Sequence, residues 1–266
     1  MKHSCNQEET FTDGQRLRLL SYNIQVGSTV NAYRQYITKS WEHILPSSGR
    51  MENLSHIARM VSDYDLVGLQ EVDAGSLRSG FINQTEYLAD KARFPFWHHQ
   101  TNRKIGRIAQ HSNGFMSKFK PAEIYTHKLP GTISGRGALC ARFGGKEESL
   151  IVIILHLALG KRSRMQQMSY ISELAQEHEH VIIMGDMNCR SDSPEIMTLQ
   201  KKANLCEPVH DLHTFPSWAP ERNIDHILVS PSLKVESIHV LNHTFSDHLP
   251  IAMDVILPDT VRLAAS

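Results

Sequence analysis

The chain has 266 residues, 41% of them hydrophobic and 21% charged, which suits one large domain with a core and excludes a disordered chain. Twenty-eight Lys and Arg balance 28 Asp and Glu, and this zero net charge weighs against a protein that grips nucleic acid through its phosphates alone. Four cysteines, Cys5, Cys140, Cys189 and Cys206, show no CxxC pair and no metal-type spacing; Cys140 and Cys206 read as small hydrophobes, which fits a reducing compartment.

Residues 1–15 read as a polar N-terminal tail without the apolar run of a signal peptide. Residues 17–22 alternate and then stay apolar, as a strand does. Residues 28–50 have no clear period and hold Tyr33, Tyr36, Trp41 and Pro46, which marks a long connection of the kind that forms binding loops. Met51, Leu54, Ile57, Ala58 and Val61 share one helical face, and residues 65–70 form a short buried strand. A helix over 83–93 and a strand over 113–118 follow. Strands near 122–128 and 137–143 come next, then a Gly144-Gly145 turn and a strongly apolar strand over 149–155.

Residues 164–177 suit a helix and 181–184 a buried strand, and Ser193 and Pro194 are candidate cap and first residue of another helix. Residues 224–229, 235–241 and 251–256 complete the strands. Strands outnumber helices and mix hairpin and helix-crossed connections, so the expected class is α/β, with two sheets and helices outside. The apolar run from 150 onward is broken by His156 and is too short to span a bilayer, so a soluble, cytoplasmic protein is expected. No repeat, low-complexity tract or linker divides residues 16–266, which are read as one catalytic domain.

Polar residues recur where apolar strands end. Asn23, Glu71, His156, the pair Asp186 and Asn188, Asp225, and the pair Asp247 and His248 all stand there. Strand ends are where a rigid α/β frame gathers catalytic groups. Hard cations take oxygen ligands, so Glu71 and Asp247, with the amide oxygen of Asn23, form a candidate magnesium site, manganese being the alternative. A phosphate ester needs its charge offset before water attacks. His156 and His248 are candidate cationic donors to the phosphate, and Asp225 a candidate partner that orients His248. Asp186 is placed to orient or deprotonate the water, and Asn188 to position the phosphate.

Leu20-Ser21-Tyr22-Asn23, Leu69-Gln70-Glu71-Val72, Leu155-His156-Leu157, Gly185-Asp186-Met187-Asn188, Ile224-Asp225-His226-Ile227 and Ser246-Asp247-His248-Leu249-Pro250 occur in one order. In that order they resemble the endonuclease/exonuclease/phosphatase superfamily, which includes pancreatic-type deoxyribonucleases, apurinic endonucleases, neutral sphingomyelinases and inositol-phosphate phosphatases. The resemblance runs from about residue 17 to 257. It implies a four-layer α/β sandwich, two mixed sheets packed together with helices outside, and metal-assisted hydrolysis of a phosphate ester. It assigns the metal to Glu71 with Asn23 and Asp247, and the phosphate and water to His156, Asp186, Asn188, Asp225 and His248.

The stretch from Gln110 through Asn113 to Ser117 lacks the tyrosine usual in apurinic endonucleases. Gly135-Arg136-Gly137-Ala138-Leu139 and His156-Leu157-Ala158-Leu159-Gly160, followed by Arg164 and Gln167, look like bacterial sphingomyelinase-like hydrolases. Asn113, Arg136 and Trp218 are the candidate substrate contacts. Arg136 reads as well as a surface arginine, and Trp218 as a loop anchor. The expected substrate is a small or lipid-linked phosphodiester. A nuclease or a phosphomonoesterase of the same superfamily is the competing enzyme, and a catalytically inactive binding module the competing class.

Overall fold

The structure, a computed structural model, describes residues 14–27, 48–131 and 135–264. Most of the expected tail and of the 28–50 connection, with Tyr33, Tyr36, Trp41 and Pro46, lies outside the described residues. The elements run β1 (Arg16–Asn23), α1 (Ser48–Val61), β2 (Leu66–Asp73), α2 (Gln84–Ala92), β3 (Phe96–Ile105), β4 (Ala109–Ser117), β5 (Glu123–Lys128) and β6 (Gly137–Gly144). They continue β7 (Ser149–His156), α3 (Lys161–Ala175), β8 (His180–Asp186), α4 (Pro194–Ala203), β9 (Asp225–Val229), β10 (Lys234–Val240) and β11 (Ile251–Ile256).

Among the described residues, eleven strands form two mixed sheets. One has six strands in the order β10-β11-β1-β2-β4-β3, the other five in the order β5-β6-β7-β8-β9. β1 and β2 are parallel across α1, and β7 and β8 are parallel across α3; the remaining neighbours are antiparallel.

Alternation along the strands builds the layers. In β7, Leu150, Val152 and Ile154 face the other sheet, while Ile151, Ile153 and Leu155 face helices. In β8 the same split puts Ile182 and Met184 inside and Val181 and Ile183 outside. α3 and α4 cover the five-stranded sheet through Met168, Ile171, Ile196 and Leu199, and α1 and α2 cover the six-stranded sheet through Leu54, Ile57, Val61 and Leu88. The result is the expected four-layer sandwich. Each fully buried Leu or Ile contributes about 1.5–3 kcal/mol through removal from water, so this doubly apolar pattern holds both sheets in register.

The caps follow the sequence. Ser193 Oγ accepts from Ile196 N at 3.3 Å, with Pro194 opening α4. Asn83 Oδ1 accepts from Thr85 N and Glu86 N at the start of α2. β3 is an addition to the expected elements. Its sequence, Phe-Trp-His-His-Gln-Thr-Asn-Arg-Lys-Ile, is largely polar because it is an edge strand with much of its length exposed. Cys140 and Cys189 are free and buried, whereas Cys206 is disulfide-bonded, so its reading as a simple hydrophobe is corrected and support for a reducing compartment falls with it. No helix among the described residues is long and apolar enough to cross a membrane.

Candidate active site

The same alternation that builds the core delivers the site. Asn23 continues the inward row of Leu17 and Leu19, His156 that of Val152 and Ile154, and Asp225 that of Ile227 and Val229. Glu71 would lie out of phase with the inward Leu66. An irregularity in the β2–β4 pairing between Leu69 and Val72, with Glu71 at φ 55°, shifts the phase. Gly185 has φ 146°, and a Cβ there would lie 1.9 Å from the carbonyl oxygen of Leu155, so only glycine lets the chain approach β7 here and turn into Asp186.

Asp186 is the hub. Its Oδ2 accepts from Asn23 Nδ2 at 3.1 Å and lies 3.4 Å from His156 Nε2 and 3.9 Å from His248 Nε2. Its Oδ1 accepts from the backbone N–H of Asn188 at 2.9 Å. Glu71 Oε1 lies 3.5 Å from Asn23 Nδ2 and 3.9 Å from His156 Nε2. His248 Nδ1 donates to Asp225 Oδ2 at 2.8 Å, and Thr214 Oγ1 donates to the same oxygen at 2.6 Å. Asn188, at φ 52°, spends one Nδ2 hydrogen on the carbonyl of Leu157 at 2.9 Å and ties the loops after β7 and β8 together.

Burial sets the charge states. It raises the Asp186 carboxyl to about 7, and the charge of Asp225 adds to the rise. Burial also raises Asp247 to about 6. For His248, burial alone would lower the imidazole, but the charge and hydrogen bond of Asp225, then Asp186 and Asp247, outweigh it and raise it to about 10. His156 moves the other way: burial lowers it far below the usual imidazole range, and Arg136, His248 and His111 add to this. These shifts favour the cationic form of His248 and the neutral form of His156.

The donor set fits a hard divalent cation. Glu71, Asp186, Asp225 and Asp247 converge with His248 and Arg136 as the nearby positive groups, and two of these carboxylates are driven upward by burial, which a bound cation would offset. Ligand atoms of Asp186, Asp225 and His248 lie within 4.8 Å of one another. Asp225 and His248 are already bonded to each other, which leaves Glu71 and Asp247 as carboxylates for a metal, while Asn23 turns Nδ2 toward Glu71 and Asp186 and its Oδ1 accepts from Gln25 N at 3.1 Å. Asn23 and Glu71 are adjacent, and the charge of Glu71 is felt at Asp247.

A cavity of about 370 Å³ opens beside Glu71 and His156. It brings in the expected Asn113 and Arg136, together with Arg103 and His111, which sequence reading did not single out. Trp218 is half-buried and makes no ring contact or hydrogen bond with a site residue among the described residues. Its loop is nonetheless pinned to the site, since Ser217 N donates to Asp247 O at 2.8 Å. The aromatic contact comes instead from Phe215, whose ring centroid is 4.8 Å from that of His248 and which carries Arg222 on its face at 4.5 Å. Thr214 and Phe215 gave no sequence signal beyond their place in the same aromatic- and proline-containing loop.

The sequence profile described as the Endonuclease/Exonuclease/phosphatase family matches residues 20–248. No curated protein matches the chain. Among solved structures, an endonuclease/exonuclease/phosphatase from Beutenbergia cavernae superposes with a TM-score of 0.70 at 20% identity, over 91% of this chain and 72% of that one. A mannosyl-6-phosphatase of Bacteroides thetaiotaomicron gives 0.66 at 21% identity, over 91% and 100%. The human Nocturnin catalytic domain gives 0.66 at 17% identity, over 90% and 94%. At these identities the structural likeness speaks for the fold, and the profile match across most of the chain speaks for the family. The chain belongs to the endonuclease/exonuclease/phosphatase family, whose members hydrolyse phosphate esters.

Proposed function

We propose that the protein is a magnesium-dependent hydrolase of a small phosphodiester, acting by water attack on phosphorus, with manganese as the alternative ion. The observation that carries this reading is the convergence on Asp186, with Asn23 at 3.1 Å, His156 at 3.4 Å and His248 at 3.9 Å, inside a buried pocket at the strand ends. Glu71 and Asp247 would hold the ion, which when bound supplies a Lewis acid that polarises the phosphoryl oxygens.

The protein's own groups divide the remaining work. Asp186, raised to about 7, sits near neutral pH, where a general base for the attacking water is most effective. His248 is held as a cation by Asp225 and offers Nε2–H to the charge that develops on phosphorus-bound oxygen. His156 is neutral and gives one hydrogen bond without adding charge. Asn188 keeps a second Nδ2 hydrogen for the phosphate beyond the one given to Leu157.

The test is hydrolysis of bis-p-nitrophenyl phosphate, sphingomyelin and lysophospholipids by purified protein with Mg²⁺, beside supercoiled plasmid and p-nitrophenyl phosphate. Turnover of a small diester is expected. No turnover of any diester with metal bound would sink the reading, and plasmid nicking that falls steeply with salt would replace it with a nuclease.

A further inference from the structure

The cavity beside Glu71 and His156 extends away from the catalytic cluster toward Arg103, His111, Asn113 and Arg136. Three observations make it more than a recess. The first is how closely two arginines are brought together. A Cβ on Gly135 would lie 2.9 Å from Arg103 Cβ, and one on Gly137 would lie 2.2 Å from Asn102 Oδ1, so the backbone on both sides of Arg136 runs against β3. Larger residues at 135 and 137 would push Arg136 away from Arg103.

The second is that neither arginine makes a close ion pair among the described residues. Arg16, Arg78, Arg142 and Arg164 all reach a carboxylate within 4.0 Å, and Arg103 and Arg136 do not among the described residues. Arg103 is exposed at the mouth of the cavity and Arg136 is partly buried in its wall, so both guanidinium groups are placed to meet an anion that enters from solvent. Burial lowers the Arg136 guanidinium, and it lies within electrostatic reach of Glu71 and Asp186 on one hand and of Arg103 on the other. The third is Asn113. Its side chain is fully buried against the cavity, Nδ2 donates to Gly137 O at 2.9 Å, and Oδ1 has no partner. That oxygen is an acceptor and pairs only with a donor such as a ligand hydroxyl, so Asn113 serves an anion here by fixing, through Gly137, the backbone beside Arg136.

We propose that this cavity is a second-anion subsite. The substrate carries, beyond the phosphate that is cleaved, a second phosphate or carboxylate, held by Arg103 with Arg136 spanning both groups. Planar guanidinium groups suit such bidentate contacts. The inference rests on the phosphate-ester reading and narrows it: a small ester with two anionic groups fits, and a choline ester, whose cation would meet Arg103, does not.

Calorimetric titration of Mg²⁺-loaded protein with fructose 1,6-bisphosphate and with fructose 6-phosphate reads the subsite without turnover. The bisphosphate should bind about tenfold tighter or better, as expected for one added charge-assisted pair. Arg103→Gln should remove most of that preference, and Arg103→Lys should keep most of it. Equal affinity of the two sugars in the wild type, or a preference unchanged in Arg103→Gln, overturns the subsite. So does faster hydrolysis of p-nitrophenylphosphorylcholine than of bis-p-nitrophenyl phosphate. Failure to hydrolyse any ester would defeat the function while leaving the calorimetric preference readable, so the two failures are distinct.

Discussion

Two acid–histidine pairs stand back to back on β9. Asp225 points into the cleft between the sheets and accepts from His248 Nδ1 at 2.8 Å; the next residue, His226, points to the helical side and its Nδ1 donates to Glu207 Oε1 at 2.7 Å. Both imidazoles are buried, and in both the acid outweighs the downward pull of burial and raises the histidine. They differ at the second nitrogen. His226 Nε2 is spent on the carbonyl of Cys189 at 2.7 Å, whereas His248 Nε2 lies 3.9 Å from Asp186 in the cleft. Glu207 is further held by Ser191 and His210, and Asn223 reaches Ser191, so the outer pair is a closed knot that braces the loop after Asn188. The same pairing closes on itself where both nitrogens are bonded, and on the proposed reading it serves catalysis where one nitrogen is left toward the cleft.

The sharpest way to break this contrast is to truncate each side. His248→Ala should lower kcat/KM on bis-p-nitrophenyl phosphate by about 10³-fold while the melting temperature stays within a few degrees, since the loss falls on the transition state. Glu207→Ala should do the reverse. Stability should fall by about 3 kcal/mol, because a buried charged histidine loses its partner, with kcat/KM changed only a few-fold at temperatures where the variant stays folded. Chemical denaturation and initial rates on the same samples separate the two, and a Glu207→Ala variant that is stable but inactive would refute the division.

A smaller effect tests the link between Asp225 and its histidine. Asp225→Asn should lower kcat by about a hundredfold, and the alkaline limb of the rate profile should move to lower pH. The sign follows from the raised imidazole: the pair's contribution to stability is fully present below the ordinary histidine value of about 6.5 and is lost as pH rises through about 10. Smallest is a stability effect at the hub. Asp186 is an acid raised by burial, so its ionisation costs stability increasingly from about pH 4 to about 7. Without metal, Asp186→Asn should therefore be more stable than the wild type at pH 8, by on the order of 1–2 kcal/mol, and no more stable at pH 4. Mg²⁺ should stabilise the wild type by mass action and narrow the gap.

Much of this was readable before the fold was known, for a physical reason. Strands buried on both faces, such as β7 and β8, are continuous apolar runs, so the polar residue ending each run stands out: His156 and Asp186 are visible in one dimension because their neighbours are so uniform. β3 escaped because an edge strand keeps polar residues along its length. Glu71 was legible as a strand-end acid, yet the irregularity that turns it inward was not, since the phase shift depends on pairing with β4. Charge state was illegible for His156, whose burial and nearness to Arg136 arise only when β6 and β7 lie side by side. Phe215 beside His248, and Arg103 beside Arg136, join residues far apart in the chain with no motif of their own.

The most direct test of the account is a Mg²⁺ titration of metal-stripped protein, wild type and Asp186→Ala, with bis-p-nitrophenyl phosphate as substrate. The account predicts no hydrolysis without metal, saturable recovery as Mg²⁺ is added to the wild type, and almost none in the variant. Full turnover in the presence of a chelator, or an Asp186→Ala variant as active as the wild type, would contradict it.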